Sequence, residues 1–249
     1  METRIPATKN VLTTLLQADF TTLWRNRRSL RLVLLVPIII LISWKGLVDK
    51  LGPVMVLSSV ITIGLTSIGL MGYSNTMARD RDRGVFQRLR VAPVPTWTIM
   101  LSRLSIQIGL IALMVLLVFI VGFAVDKISI SALGYITGLL MTIVAGWLYL
   151  GLGQLIVGLI KNPDTVNSTT RLVYFAFIMV GMFGQFGALG ETMKEVVQWS
   201  PYGVVQKALA GSLQPLLWTN DHTMALLATI GYTLVFVGLG IKYFKWDNK

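Results

Sequence analysis

Six stretches of this chain are apolar almost without interruption, and polar or charged segments alternate with them. They run Leu32–Val48, Val54–Tyr73, Leu104–Val125, Leu133–Ile160, Leu172–Leu189 and Met224–Tyr243. About twenty apolar residues is the length at which an α-helix crosses the hydrocarbon of a bilayer. The pattern therefore predicts an all-α membrane protein with six transmembrane helices. The fourth stretch exceeds that length, which predicts tilt or an extension beyond the hydrocarbon.

The segments between the spans carry patterns of their own. Before the first span, Val11, Leu12, Leu15, Leu16, Phe20, Leu23 and Trp24 form a helical stripe, with Asp19, Arg25, Arg27 and Arg28 on or beyond its polar side. This predicts an amphipathic helix within residues 1–31 that lies in the headgroup region; a helix packed on cytosolic neighbours is the alternative. Residues 190–223 are only half polar. Met193, Val196 and Val197 make one apolar face, Ser200-Pro201-Tyr202-Gly203 breaks the chain, and Val204, Val205, Ala208 and Leu209 make a second face. Two short helices dipping back to the membrane surface before the last span fit that pattern. No repeat or second domain is visible. The chain reads as one membrane domain, 1–249: interfacial helix 1–31, spans one to five in 32–189, outer helices in 190–223, and last span and tail in 224–249.

Charge orients this arrangement. The chain is 54% hydrophobic and only 13% charged, too little polar surface for a water-soluble domain of 249 residues. Its net charge of +11 is not spread as a nucleic-acid surface would be. Arg4, Lys9, Arg25, Arg27, Arg28, Arg31, Arg79, Arg81, Arg83, Arg88, Arg90, Arg103, Lys161, Arg171, Lys242, Lys245 and Lys249 fall on one side of the predicted spans. Lys45, Lys50, Lys127, Lys194 and Lys207 fall on the other. Seventeen against five places both termini in the cytoplasm of a multi-pass protein. Met1 to Arg31 is polar and basic, so a cleavable signal is not expected. With no cysteine, disulfides and thiolate metal sites are excluded, and His222, the single histidine, builds no metal site alone.

No phosphate-binding loop of the Gly-four residues-Gly-Lys-Ser/Thr type occurs. The acidic residues fall in loops, at span ends or at the terminus, so no proton or sodium relay is evident within the spans. If the protein uses free energy, it must arrive from a partner; a passive channel or a membrane enzyme needs none. One loop has the make-up of a docking element: Arg79-Asp80-Arg81-Asp82-Arg83-Gly84-Val85-Phe86-Gln87-Arg88-Leu89-Arg90-Val91-Ala92-Pro93. Its first half mixes charge of both signs, Phe86, Leu89 and Val91 supply apolar contacts, and Pro93 and Pro95 stop the helix. A short helix with one or two apolar anchors can seat in a groove on a soluble protein; a solvated positive-inside loop is the alternative.

This loop resembles the cytoplasmic signature of the ABC-2 type transporter permeases. That signature reads acid-Arg-acid-Arg-Gly-Thr, an apolar residue, Glu, then Leu two positions later, and Thr-Pro. Asp80, Arg81, Asp82, Arg83, Gly84, Leu89 and Pro93 match it, while Val85, Gln87 and Ala92 replace Thr, Glu and Thr. Leu23-Trp24-Arg25-Asn26-Arg27-Arg28-Ser29-Leu30 with Pro37, and Trp199-Ser200-Pro201-Tyr202-Gly203, are similar to two further family elements, so the resemblance covers essentially the whole chain. It implies a bacterial plasma-membrane exporter subunit without a nucleotide site, working as a dimer with a second permease copy or homologue on two ABC-type ATPase subunits. ATP and Mg would sit on those partner chains, with no cofactor in this one. It implies that Asp80, Arg81, Asp82, Arg83, Gly84, Phe86, Gln87, Arg88, Leu89 and Pro93 couple the chain to the ATPase through a cytoplasmic coupling helix.

Candidate substrate-lining residues come from two helices. Phe175, Met179, Met182, Phe183 and Phe186 share one face of the fifth span, an adaptable apolar wall or plain helix packing. Ser59, Thr62 and Thr66 belong to a hydroxyl-rich second span, as helix-to-helix contacts or as a hydrogen-bonding path. The Phe and Met content favours a lipophilic drug, lipid or hydrophobic peptide. Export of a polysaccharide or glycolipid is one alternative; a non-pumping immunity or binding protein is another. A lipid-modifying membrane enzyme lacks a convergent catalytic set.

Overall fold

A computed structural model describes residues 8–25, 27–91, 96–185 and 190–244, and they are helical almost throughout, with no strand among them. Among the described residues, four helices are long and apolar enough to cross a membrane: Pro53–Asp82, Trp97–Asp126, Ala132–Leu159 and Asn220–Tyr243. These correspond to the second, third, fourth and sixth predicted spans.

The other two predicted spans take different forms. The first is divided into α2 (Arg27–Ser43) and α3 (Lys45–Leu51), with a turn at Trp44 between them. Its apolar run ends at Ser43, because Lys45, Asp49 and Lys50 make α3 polar. The fifth lies in α9 (Pro163–Gln185), which starts well before Leu172. Its first turns carry Asp164, Asn167, Ser168 and Arg171, and the predicted end, residues 186–189, lies outside the described residues.

The second span does not stop at Tyr73. Helix α4 (Pro53–Thr66) passes into a π-helical stretch, Ser67–Tyr73, and on into α5 (Ser74–Asp82). At 1.5 Å per residue, this 30-residue helix is about 45 Å long, well beyond a hydrocarbon core of about 30 Å. Its π-helical stretch lies against α8 (Ala132–Leu159). The two backbones touch there: a Cβ at Gly153 of α8 would run into the Gly69 carbonyl oxygen. Ser74 Oγ donates to that same carbonyl at 3.1 Å, a five-residue reach that matches π winding.

Helix α8 is the hub of the bundle. Around it pack α12 (Asn220–Tyr243), the π-helical stretch, α11 (Pro201–Leu213) and α7 (Thr96–Asp126). Val204, Val205, Ala208 and Leu209, the predicted second face of the outer segment, are buried, so α11 turns its apolar side into the bundle. The predicted break before it has a local cause. Ser200 caps α11 by accepting the Gly203 N–H at 3.1 Å, and Pro201 occupies the first turn, where its missing N–H costs nothing. In the preceding α10 (Glu191–Trp199), Val197 faces inward and Val196 outward.

The N-terminal stripe forms α1 (Thr8–Arg25), which packs on α7 through Leu15 and Leu23. Phe20 and Trp24 stack on each other with centroids 6.1 Å apart and stay more than half exposed. His222 has a capping role at the start of α12, where its Nδ1 accepts the Thr219 N–H at 3.0 Å.

Candidate functional site

The candidate coupling loop forms the charged end of the bundle. After Asp82 the chain turns through Arg83 and Gly84 into α6 (Val85–Val91). Gly84 has φ +67°, a left-handed conformation that costs a side-chain-bearing residue roughly 1 kcal/mol or more. The glycine of the motif therefore makes the turn between α5 and α6.

The motif's alternating charges divide by position. Arg81 is 2% exposed and reaches back to α8. Its guanidinium donates to the carbonyls of Val157 (2.6 Å), Ile160 (2.6 Å) and Lys161 (2.8 Å). The last turn of a helix has carbonyls with no partner inside the helix and carries the negative end of the macrodipole. Arg81 satisfies both needs, so it closes α8 and locks the end of α5 to it. Its neighbours Asp82 and Arg83 are exposed.

Asp80 faces Arg103 of α7, and this pair is part of a wider network. Arg103 Nε also lies 3.3 Å from Asp19 of α1, and Ser102 Oγ donates to the other Asp19 oxygen at 2.6 Å. The guanidinium carbon of Arg103 sits 5.6 Å from the centroid of the Phe86 ring, within cation–π range. One arginine thus joins the N-terminal helix, the end of the long helix and α6. Sequence reading weighed Arg103 only as one of many positive charges; the preceding Ser102 and the two distant acids become a signal once α1 and α5 meet on α7.

Phe86 itself is fully buried, with its ring edge-on to Phe244 at 5.7 Å, and Leu89 is half-buried against the same core. The sequence suggested these two as anchors reaching into a partner. The structure instead turns Phe86 inward, because a seven-residue helix with one apolar face buries that face on the nearest apolar surface, here its own protein. What α6 presents outward is polar: Gln87 and Arg88, beside Asp82 and Arg83. Pro93 lies outside the described residues.

The candidate substrate residues whose side chains are described lie in two different settings. Ser59, Thr62 and Thr66 are buried in α4. The Thr62 and Thr66 hydroxyls donate to carbonyls of their own helix, Ser58 and Thr62, at 2.7 Å, and Ser59 accepts from Gln206 of α11 at 2.9 Å. Phe175 (63% exposed) and Met179 (38% exposed) lie instead on the surface of α9. Met182 and Phe183 belong to α9, but their side chains, like all of Phe186, lie outside the described residues. Gln154 accepts from the Tyr73 hydroxyl at 2.6 Å, 81 residues away along the chain. Among the described residues, no three acids or histidines gather as a cation site.

Comparison with known proteins agrees with this architecture. Residues 49–242 match the family described as ABC-2 family transporter protein. No curated protein matches the chain. The matched region takes in the long helix, the candidate coupling loop, the α8 hub and all of α12 except its last residue, Tyr243. A family match over most of the chain, on a bundle with four membrane-crossing helices, has one consequence: this chain belongs to the ABC-2 transporter family and is a multi-pass membrane subunit of an ABC transporter, with an ABC ATPase implied as its partner.

Proposed function

We propose that this subunit exports a lipophilic drug, lipid or hydrophobic peptide across a bacterial plasma membrane, driven by two separate ATPase chains that bind ATP and Mg. The observation that carries the reading is the build of the charged end. Helix α6 is fixed to its own bundle by Phe86, stands at the end of a helix of about 45 Å, and turns Gln87 and Arg88 outward. A rigid helix with a polar outer face, joined through Arg81 to α8 and through Arg103 to α1 and α7, is suited to carry a push from a soluble partner into the membrane. In this reading α6 is the coupling helix and α1 the interfacial helix. Helices α2–α3 and α9 complete six crossings, α10–α11 form the outer re-entrant pair, and a second permease copy or homologue completes the route.

Export of lipophiles is tested in inside-out vesicles holding the subunit with its ATPase. ATP should drive uptake of a lipophilic dye. The Phe175→Ala and Met179→Ala variants should assemble normally and change preference among dyes several-fold, because these two side chains are exposed on α9. Normal assembly with unchanged transport of every dye tested would leave that face as a lipid contact and remove it from the route. Sidedness has an independent check, made clean by the lack of native cysteine. An impermeant thiol reagent added to intact cells should label Glu195→Cys and spare Arg83→Cys; equal labelling would end the six-crossing topology.

A further inference from the structure

A cavity opens at the charged end between α7, α8 and α12, away from the candidate substrate residues. Its empty space is about 650 Å³, counted together with the open solvent at its mouth. The polarity of its lining changes with depth. Helices α8 and α12 end at the charged end and α7 begins there, so Gln154, Met100 and Phe244 lie nearest that end. Trp147, Leu150, Leu104 and Val237 lie deeper. Trp147, Leu150 and Gln154 follow one another along one face of α8, and Trp147 is about 10 Å below Gln154. The deep part is apolar apart from the indole N–H of Trp147. The shallow part holds the Tyr73–Gln154 pair, in which the amide oxygen accepts the tyrosine hydroxyl's hydrogen bond and the amide N–H groups face a guest.

We infer that this cavity binds an anionic phospholipid of the adjoining leaflet, one acyl chain lying against Trp147, Leu150 and Val237 and an ester carbonyl accepting from the Gln154 amide. Three observations favour a lipid over other occupants. The mouth residue Ile241 is 73% exposed on a helix that crosses the membrane, so lipid is the molecule at the door. The polar-to-apolar gradient has the order of an amphiphile whose head points to the charged end. The exposed Lys242 follows Ile241 in sequence, with its ammonium 5.6 Å from the centroid of the Tyr243 ring, and supplies a positive charge at the same end of α12 as the mouth. Anionic lipid is concentrated on the cytoplasmic leaflet, so the choice of headgroup rests on the sidedness proposed above. The site also bears on coupling, because Phe244 is at once a wall of the cavity and the ring on which Phe86 is seated. A bound chain would hold Phe244 in place, and with it α6.

The test uses the full chain alone in phosphatidylcholine nanodiscs doped with chain-brominated phosphatidylglycerol. The difference in emission between the protein and its Trp147→Phe variant isolates Trp147 among the seven tryptophans. Quenching of Trp147 should saturate at a mole fraction several-fold lower than with brominated phosphatidylcholine. Filling the cavity with Met100→Phe and Leu104→Phe together should abolish the saturable part. Lys242→Gln, an exposed change that leaves the fold intact, should bring the two lipids to the same dose. Quenching that tracks the bulk fraction of either lipid, or that ignores both the filled cavity and Lys242→Gln, would overturn the site. No ATPase is present, so loss of the docking reading leaves this result standing.

Discussion

Arg81→Gln should be severely damaging, lowering the yield of folded protein and its thermal stability together. Three carbonyls at the end of α8 share one buried guanidinium. Hydrogen bonds to a charged group contribute about 1.5–3 kcal/mol each, and a buried acceptor left alone costs about 1–3 kcal/mol. A glutamine supplies one short amide where a fork once stood, so a net loss of about 3 kcal/mol is expected even after relaxation. Arg81→Lys should recover only part of it, since an ammonium is a point donor and not a planar fork. The measurement is the fraction of protein that stays monodisperse after heating in detergent. Wild-type behaviour of Arg81→Gln would mean that water or backbone rearrangement closes α8 just as well.

The second large effect separates positioning from docking within α6. Phe86→Ala removes a fully buried ring, which in protein cores costs about 3–5 kcal/mol, including its edge contact with Phe244 and its place beneath Arg103. Both stability and ATPase binding should fall, with binding down at least tenfold as α6 loosens. Arg88→Glu combined with Arg83→Glu should behave differently. Both side chains are exposed, so thermal stability should hold while ATPase association weakens, mainly through slower encounter and a changed salt dependence. The check is ATPase pull-down and substrate-stimulated hydrolysis beside a melting curve for each variant. If the double charge reversal binds the ATPase normally, the outward face of α6 is not the contact, whatever Phe86→Ala does.

How much of this was legible in the sequence depended on the solvent each residue meets. Lipid punishes any polar interruption, so α8 and α12 appeared within a few residues of both ends, whereas α7 begins at Thr96, well before the predicted Leu104, because its first turns carry polar residues that gave no apolar signal. The hydroxyl-rich second span was placed correctly, yet its continuation to Asp82 was hidden because a charged helix beyond the membrane has no apolar signature. Phe86 posed a choice that no periodicity resolves: one apolar face can serve the chain's own core or a partner. Arg81 and Arg103 were visible as charges and invisible as structural parts. Their partners lie on α8, α1 and α5, far away along the chain, and carbonyls have no sequence identity at all. Ser-Pro-Tyr-Gly at 200–203 was read as a break on local grounds and found as one, since cap, proline and close approach are local effects.

The π-helical stretch Ser67–Tyr73 has a mechanical meaning for the long helix. A π turn carries extra backbone relative to α winding, so it works as slack in an otherwise inextensible rod. Taking up one residue of that slack would turn everything beyond it by about 100° and advance it by about 1.5 Å. Asp80, Arg81 and the Gly84 turn are all downstream, whereas Ser59, Thr62 and Thr66 are upstream. A torque applied at α6 therefore has a place to be absorbed or released as a screw motion, next to the Gly69–Gly153 contact, where the two backbones touch and no side chains cushion the sliding.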